Sequence, residues 1–123
     1  MKLRYPAGRQ AFGEARINWP KGAIVAYLVS EEYHASDKHR GVGDLRGVVA
    51  GPIDVEKRTI VDGYAKASPM KFQRVRADRK AVAVVISEKN GTLIAYSDEV
   101  RNFPVQPNGG DIDVKFDPHI FRL

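Results

Sequence analysis

The chain has 123 residues, of which 43% are hydrophobic and 28% are charged, a composition typical of one globular domain. It contains no cysteine, which excludes disulfides and thiolate metal sites. No apolar run reaches the roughly 18 residues that a membrane span needs, and the N-terminus lacks the apolar core of a signal peptide. We expect a single domain, 1–123, made in the cytoplasm, without membrane contact.

The formal net charge of +5 predicts a partner with acidic groups. The densest basic run is KFQRVRADRK at 71–80, where apolar residues alternate with cations as in a strand and turn with one solvated side. The candidate partner contacts are Arg40, Arg46, Arg74, Arg76, Arg79 and Lys80. Either nucleic-acid phosphates or an acidic protein surface could use this charge.

The N-terminal part predicts one or two helical turns within 6–15, ending near Gly13. Trp19 precedes Pro20, which favours an extended backbone and predicts that the indole covers the edge of the core. A stacking platform for a sugar or a base is the alternative role of this side chain.

Strand patterns dominate the next part of the chain. The apolar run KGAIVAYLVS at 21–30 predicts a buried strand. Residues 34–51 are polar and Gly-rich and predict a long loop, with one helical turn at 44–46. From Pro52, alternation predicts a strand continuing to Val61, followed by a turn at Asp62-Gly63 and short strands at 64–67 and 69–75.

The stretch AVAVVISEKNGTLIAYSD at 81–98 predicts a central hairpin. Asn90-Gly91 favours a two-residue type I′ turn, since these residues tolerate positive φ. That turn would place Ile86 opposite Ala95, and likewise 84 opposite 97, 85 opposite 96, 87 opposite 94 and 88 opposite 93. Both faces are largely apolar, which predicts a strand pair covered on both sides.

The C-terminal part predicts a turn and two strands. Pro107 begins a turn through Asn108, Gly109 and Gly110. Alternation over 111–116 predicts a strand with the even-numbered residues facing inward. Asp117 is expected to begin another turn. The apolar residues of 119–123 are expected to form a strand docked on the core. Together these elements predict an all-β fold, an antiparallel β-sandwich or barrel of seven or eight strands with a short N-terminal helical turn.

Residues capable of chemistry are sparse. His34, Asp37 and His39 could offer metal ligands, but a spacing of five between the histidines matches no rigid element. Phosphate-binding, dinucleotide-binding and nucleophile-elbow motifs are missing from the sequence. The sequence therefore predicts a protein that is not an enzyme and that has no metal and no cofactor.

Several segments resemble a family of small virion structural proteins of tailed bacteriophages. They are RQAFGEARINW, IVAYLVSEEY, the hairpin ending GTLIAYSD and, most specifically, the closing FPVQPNGGDIDVKFDPHIFRL. In that family the chain closes with a Pro-Asn-Gly-Gly-Asp turn, a strand and a terminal Phe-x-Leu. The region from about Gly41 to Pro69 departs from the family, whose members carry a Thr- and Gly-rich passage there.

The resemblance implies an all-β module of the virion, associated with the tail or decorating the capsid, that performs no catalysis. Its partners would be other virion proteins, and we expect it to form a homo-oligomer. Exposed strand edges and the long loop are the expected contact surfaces. One alternative is a nucleic-acid-binding β-barrel that uses the 71–80 cations, with Tyr64 or Phe72 for stacking. Another is an enzyme accessory or carbohydrate-binding module that uses Trp19 and the tyrosines.

Overall fold

The computed structural model describes residues 1–116 and 118–123, and within them the fold is all-β, as predicted. One helix, α1, spans Pro6–Gly13, and a short 3-10 helix spans Val42–Asp44. The strands are β1 (Lys2–Arg4), β2 (Ile24–Val29), β3 (Val48–Asp54), β4 (Thr59–Val61), β5 (Tyr64–Lys66), β6 (Met70–Phe72), β7 (Ala83–Glu88), β8 (Leu93–Ser97), β9 (Ile112–Val114) and β10 (Phe121–Arg122).

The strands form three antiparallel sheets. The large sheet has the order β1-β8-β7-β2-β3, and two smaller sheets have the orders β10-β5-β4 and β6-β9. One face of the large sheet packs against both small sheets around a core that includes Trp19, Leu28, Phe72, Ile86 and Phe121. The predicted hairpin, β7-β8, therefore lies inside the large sheet, as its two apolar faces require.

The other face of the large sheet is covered by the segment predicted as a long loop. Leu45 from this segment, and Tyr33 immediately before it, are buried with Val85 and Tyr96 in a second apolar cluster. The backbone N–H of Leu93 also donates to the carbonyl of Arg40, at 2.9 Å. The segment is thus a lid that packs on the sheet, not a loop that extends into solvent. Its last residues already belong to β3.

Hydrogen bonds between side chains run through this second cluster. The hydroxyl of Tyr5 lies 2.6 Å from that of Tyr33, which in turn lies 2.9 Å from Nδ1 of His39. Burial raises the pKa values of Tyr5, Tyr33 and Tyr96. These phenols remain protonated in the folded protein at a pH where the unfolded chain would release their protons.

We expect stability to fall as the pH rises above about 10, where the phenols of the unfolded chain ionise. Each buried phenol contributes up to about 1.4 kcal/mol of lost stability per pH unit above that value. Urea titrations at successive alkaline pH values measure this slope. Tyr5→Phe should make this slope shallower, whereas a pH-independent midpoint would contradict the assignment.

The helix α1 follows β1 and packs against the start of β8, at Leu93 and Ile94. Pro6 occupies the first turn, where its missing N–H costs nothing. Ala7, Gly8 and Ala11 form the buried face, and their small size allows the helix to lie directly on the sheet. The N–H of Tyr5 donates to the carbonyl of Ile94 at 3.1 Å, which fixes the start of the helix on β8.

The hairpin turn differs from the predicted type I′. The N–H of Gly91 donates to the carbonyl of Glu88, and the N–H of Glu88 donates to the carbonyl of Thr92, each at 2.9 Å. Only Gly91 of the Asn-Gly pair has positive φ, at +111°. This is a three-residue loop with a bulge at glycine, the second common way to close a hairpin.

The longer loop changes the pairing near the turn. Ile86 pairs with Ala95, and residues 84 and 85 pair with 97 and 96, as predicted. Ser87, however, pairs with Leu93, because β8 carries one extra residue, Ile94. Leu93 and Ile94 consequently exchange faces relative to the prediction: Leu93 joins the tyrosine cluster and Ile94 the main core.

Replacing Gly91 by valine should destabilise the protein by about 1 to 3 kcal/mol, since a β-branched residue is strained at this positive φ. The space around the position is not the cause, as the nearest atom to an added Cβ is Cγ2 of Val42 at 3.6 Å. Denaturant unfolding measures the loss. Gly43→Val is the control, because an added Cβ there meets nothing within 4 Å. Equal effects of both substitutions would contradict a backbone cause.

The middle of the chain departs most from the prediction. The continuous strand expected over 52–61 is broken into β3 and β4, because Lys57 adopts a φ of +51°. The turn predicted at Asp62-Gly63 is confirmed and joins β4 to β5. Both of its central residues have positive φ, +52° and +81°, the geometry that was expected at Asn90-Gly91. The strand β1 was not predicted, and Val105 forms an isolated bridge with Ala81.

The C-terminal strands agree with their sequence patterns. In β9, Ile112 and Val114 are buried while Asp113 is exposed. β10 is docked on β5, with Phe121 paired to Ala65. Gly109 has a φ of +88°, and Oδ1 of Asn108 accepts from the N–H of Gly110 at 2.9 Å. Asp117, expected in the next turn, lies outside the described residues.

Candidate functional site

The predicted cations of 71–80 lie on the connection from β6 to β7 and on its solvated side. Arg74, Arg76, Arg79 and Lys80 are exposed while Phe72 and Val75 are buried. Arg79 donates to Oε1 of Glu32 at 2.7 Å and lies 3.8 Å from Asp78. With Lys80 it lines a groove that also holds Glu31. Carboxylates thus interrupt the basic stretch.

The two loop cations lie elsewhere and have different surroundings. Arg40 lines a shallow groove beside the hairpin tip, together with Arg16 of the segment after α1. Nη1 of Arg46 donates to the carbonyls of Gly43 and Leu45, at 2.8 and 2.9 Å. The six predicted contacts are therefore distributed between the lid segment and the β6-β7 connection.

The aromatic residues considered for stacking are largely engaged within the fold. Trp19 is buried, and its Nε1 donates to the carbonyls of Thr59 and Lys66 at 3.1 and 3.2 Å. Phe72 is also buried, so neither ring offers a face to a base or a sugar. Tyr64 is half-buried against His119, with 4.3 Å between ring centroids. The predicted burial of Trp19 is confirmed, and stacking on Phe72 is wrong.

The residues considered as metal ligands do not form a cluster. Within residues 1–116 and 118–123, no group of three or more His, Asp and Glu side chains could hold a metal ion. His39 instead contacts the hydroxyl of Tyr33. The carboxylate of Asp44 accepts from the N–H groups of Arg40 and Gly41, which lowers its pKa. These side chains organise the lid segment.

Two sheet edges expose apolar side chains. β3 is one edge of the large sheet and β4 is one edge of the three-stranded sheet. On β3, Val48 is 38% exposed. On β4, Ile60 is 40% exposed and Val61 is 45% exposed. β3 is interrupted by register shifts and by Pro52, features that discourage further pairing. β4 carries neither feature and remains able to pair.

A groove at the other edge of the large sheet joins the two ends of the chain. This terminal groove lies between β1 and β8 on one side and the segment leading into β10 on the other, and has a volume of about 220 Å³. Its apolar lining includes Leu3, Ile86, Phe116, Ile120 and Phe121. Its basic lining consists of Lys2, Arg4, His119 and Arg122, and none of the described lining residues is a carboxylate.

Arg4 is the least compensated cation of the terminal groove. Its Cζ lies 4.2 Å from the ring centroid of Phe121 and 5.7 Å from that of Phe12. Nη1 donates to the carbonyl of Arg122, whereas Nε is buried without a hydrogen-bond partner among the described residues. Burial, with a smaller contribution from the positive charge of Arg9, lowers the pKa of Arg4 to about 10.

Sequence reasoning missed this groove because the groove depends on contacts between distant parts of the chain. Arg4 and Arg122 are 118 residues apart, and each stands in a short run, KLR or FRL, that has no distinctive motif. The alternation of apolar and basic residues at both ends was the available signal. It does not reveal that β1 and β10 lie on two sides of one cavity.

Comparisons with protein-family models, with curated proteins and with solved structures found no match to this chain. Among the described residues, no helix has both the length and the apolar character to cross a membrane.

Proposed function

We propose that this protein is a non-enzymatic structural protein of a tailed-phage virion, an oligomeric building block located at the tail or on the capsid surface. The observation that carries the proposal is the short edge strand β4, which contains no proline or bulge and exposes two apolar β-branched residues, Ile60 and Val61. Monomeric proteins usually block such edges with prolines, charges or bulges. An edge left open in this way favours association with another chain.

The resemblance of the closing segment to the phage family supports the same role. The residues that carry it form the turn at Asn108-Gly109-Gly110 and the strands β9 and β10, which complete the two small sheets. In this proposal the closing segment is structural, since its apolar residues Ile112, Val114 and Phe121 lie in the core. Contacts to other virion proteins would then come from edges and grooves.

The decisive experiment is to count the copies of this protein relative to the major capsid protein in purified particles, by quantitative mass spectrometry. Hundreds of copies would support capsid decoration or a repeating tail component, whereas a handful would support a tail tip, fibre or connector. Absence of the protein from particles would overturn the proposal. Particles washed at high salt control for loosely adsorbed protein.

Substitution at the open edge gives a sharper test. Val61→Lys should leave the fold intact, because the side chain is exposed, and should weaken self-association or incorporation by about tenfold or more, because a charge blocks strand addition. The matched control is Val48→Lys, which places the same charge on the already interrupted edge β3. Sedimentation and particle composition measure both effects. Equal behaviour of the two variants would show that β4 is not the associating edge.

A further inference from the structure

We propose that the terminal groove binds a segment of a neighbouring protein chain, with one carboxylate of that segment on Arg4 and an adjoining apolar group in the cavity. The inference rests on the proposed role as a building block, and it adds the site and the chemistry of the partner. It uses residues at both ends of the chain and is independent of the β4 edge.

The charge of the groove selects an anion. Three cations, Lys2, Arg4 and Arg122, line the groove with His119 and without any described carboxylate. Exposed cations need no partner, but the guanidinium of Arg4 lies against the rings of Phe121 and Phe12, and its Nε is buried. A buried donor without an acceptor is costly, and a carboxylate is the acceptor that best fits the guanidinium fork.

The size of the cavity selects a single apolar group. Pockets for small ligands and cofactors usually enclose about 300 to 1,000 Å³, whereas this cavity measures about 220 Å³. The cavity is large enough for one leucine or phenylalanine side chain. Such a group in an aromatic and aliphatic pocket, beside a desolvated charge pair, is the usual form of an anchor at a protein interface.

The surface next to the cavity indicates that the occupant continues as a chain. A second groove shares Lys2, Phe116 and His119 with the first, and adds Arg101 and Lys115. Its one described carboxylate, Glu99, lies 3.0 Å from the N-terminal ammonium, which offsets its charge. An extended acidic segment anchored at Arg4 would therefore meet further cations along this second groove.

The first test uses 3-phenylpropionate as a probe for the anchor and its neutral analogue 3-phenylpropanamide as the comparison. NMR titration should give saturating shifts of Arg4 Nε–Hε and of Ile86 and Ile120 methyl groups, with a Kd on the order of 1 mM. The amide should bind about tenfold more weakly or worse, because it lacks the charge. No saturating shift, or equal binding of both probes, would overturn the inference. This comparison needs only the wild-type protein.

Substitutions of Arg4 and Arg9 test which cation binds the carboxylate of the probe. Arg4→Lys should weaken 3-phenylpropionate binding, since an ammonium cannot offer the planar fork, and Arg4→Gln should abolish it. Arg9→Gln removes a neighbouring exposed cation outside the groove and should leave binding nearly unchanged. Fluorescence of the buried Trp19 verifies that each variant is folded. Equal loss of binding in the Arg4 and Arg9 variants would contradict specific binding of the carboxylate at Arg4.

The second test measures the same variants in particles. Arg4→Gln should reduce the copy number severalfold relative to Arg9→Gln, since it removes the guanidinium that binds the partner's carboxylate. Incorporation of Arg4→Gln at the wild-type level would overturn the inference and leave the proposed function standing. Absence of the wild-type protein from particles would instead overturn the proposed function, and that result is distinguishable because it does not depend on Arg4.

Discussion

Replacing Gly8 by alanine should destabilise the protein by about 3 kcal/mol, although alanine is the better helix former. A Cβ at position 8 would lie 2.6 Å from the carbonyl oxygen of Leu93 and 2.9 Å from Cα of Ile94. These atoms belong to the backbone of β8 and cannot move aside as a flexible side chain could. The helix α1 would have to lift from the sheet, with loss of packing at Ala7 and Ala11.

The matched control is Gly13→Ala in the last residue of the same helix. There an added Cβ meets nothing within 4 Å, so stability should be unchanged or rise by up to about 1 kcal/mol through helix propensity. Urea unfolding of the two variants measures the difference. If Gly8→Ala is as stable as Gly13→Ala, the close contact between α1 and β8 is wrong.

The elements that could be predicted from the sequence are those whose patterns are local. β2 is an uninterrupted apolar run, and β9 alternates strictly, so burial alone determines where each one lies. The register predicted for residues 84–86 holds although the turn differs, because the extra residue of the loop is offset by the extra residue Ile94 in β8. Near the turn the prediction failed, since Asn-Gly fits both a type I′ turn and a three-residue loop with a glycine bulge.

Features that depend on distant contacts were not predictable. The break between β3 and β4 follows from the backbone of Lys57 and from the hydrogen bonds of Arg58, and a single residue with positive φ leaves no trace in hydrophobic alternation. The lid segment has a polar, Gly-rich sequence, yet Tyr33 and Leu45 hold it on the sheet. The terminal groove was missed for the same reason, because only the folded chain brings β1 and β10 together.

Arg58 is the centre of one such set of distant contacts. Its guanidinium donates through Nε to the carbonyl of Trp19 at 2.6 Å, and through Nη1 and Nη2 to the carbonyls of Val55 and Gly22. One side chain thereby joins the segment before β2 to the end of β3. Burial lowers the pKa of the group, and the three acceptors compensate part of that cost.

Arg58→Met should therefore cost about 2 to 4 kcal/mol, because it keeps the apolar stem but removes the donors of three carbonyls. Arg58→Lys should recover less than half of the loss, since an ammonium cannot reach three acceptors in the geometry of the planar fork. Thermal and urea unfolding measure both, with Arg76→Met as the control for removing an exposed arginine. If Arg58→Met and Arg76→Met lose the same stability while Arg58→Lys loses none, net charge rather than the fork determines the effect. If both Arg58 variants lose stability and Arg76→Met does not, the fork of Arg58 fixes the entry to β2, which β7 pairs along its whole length.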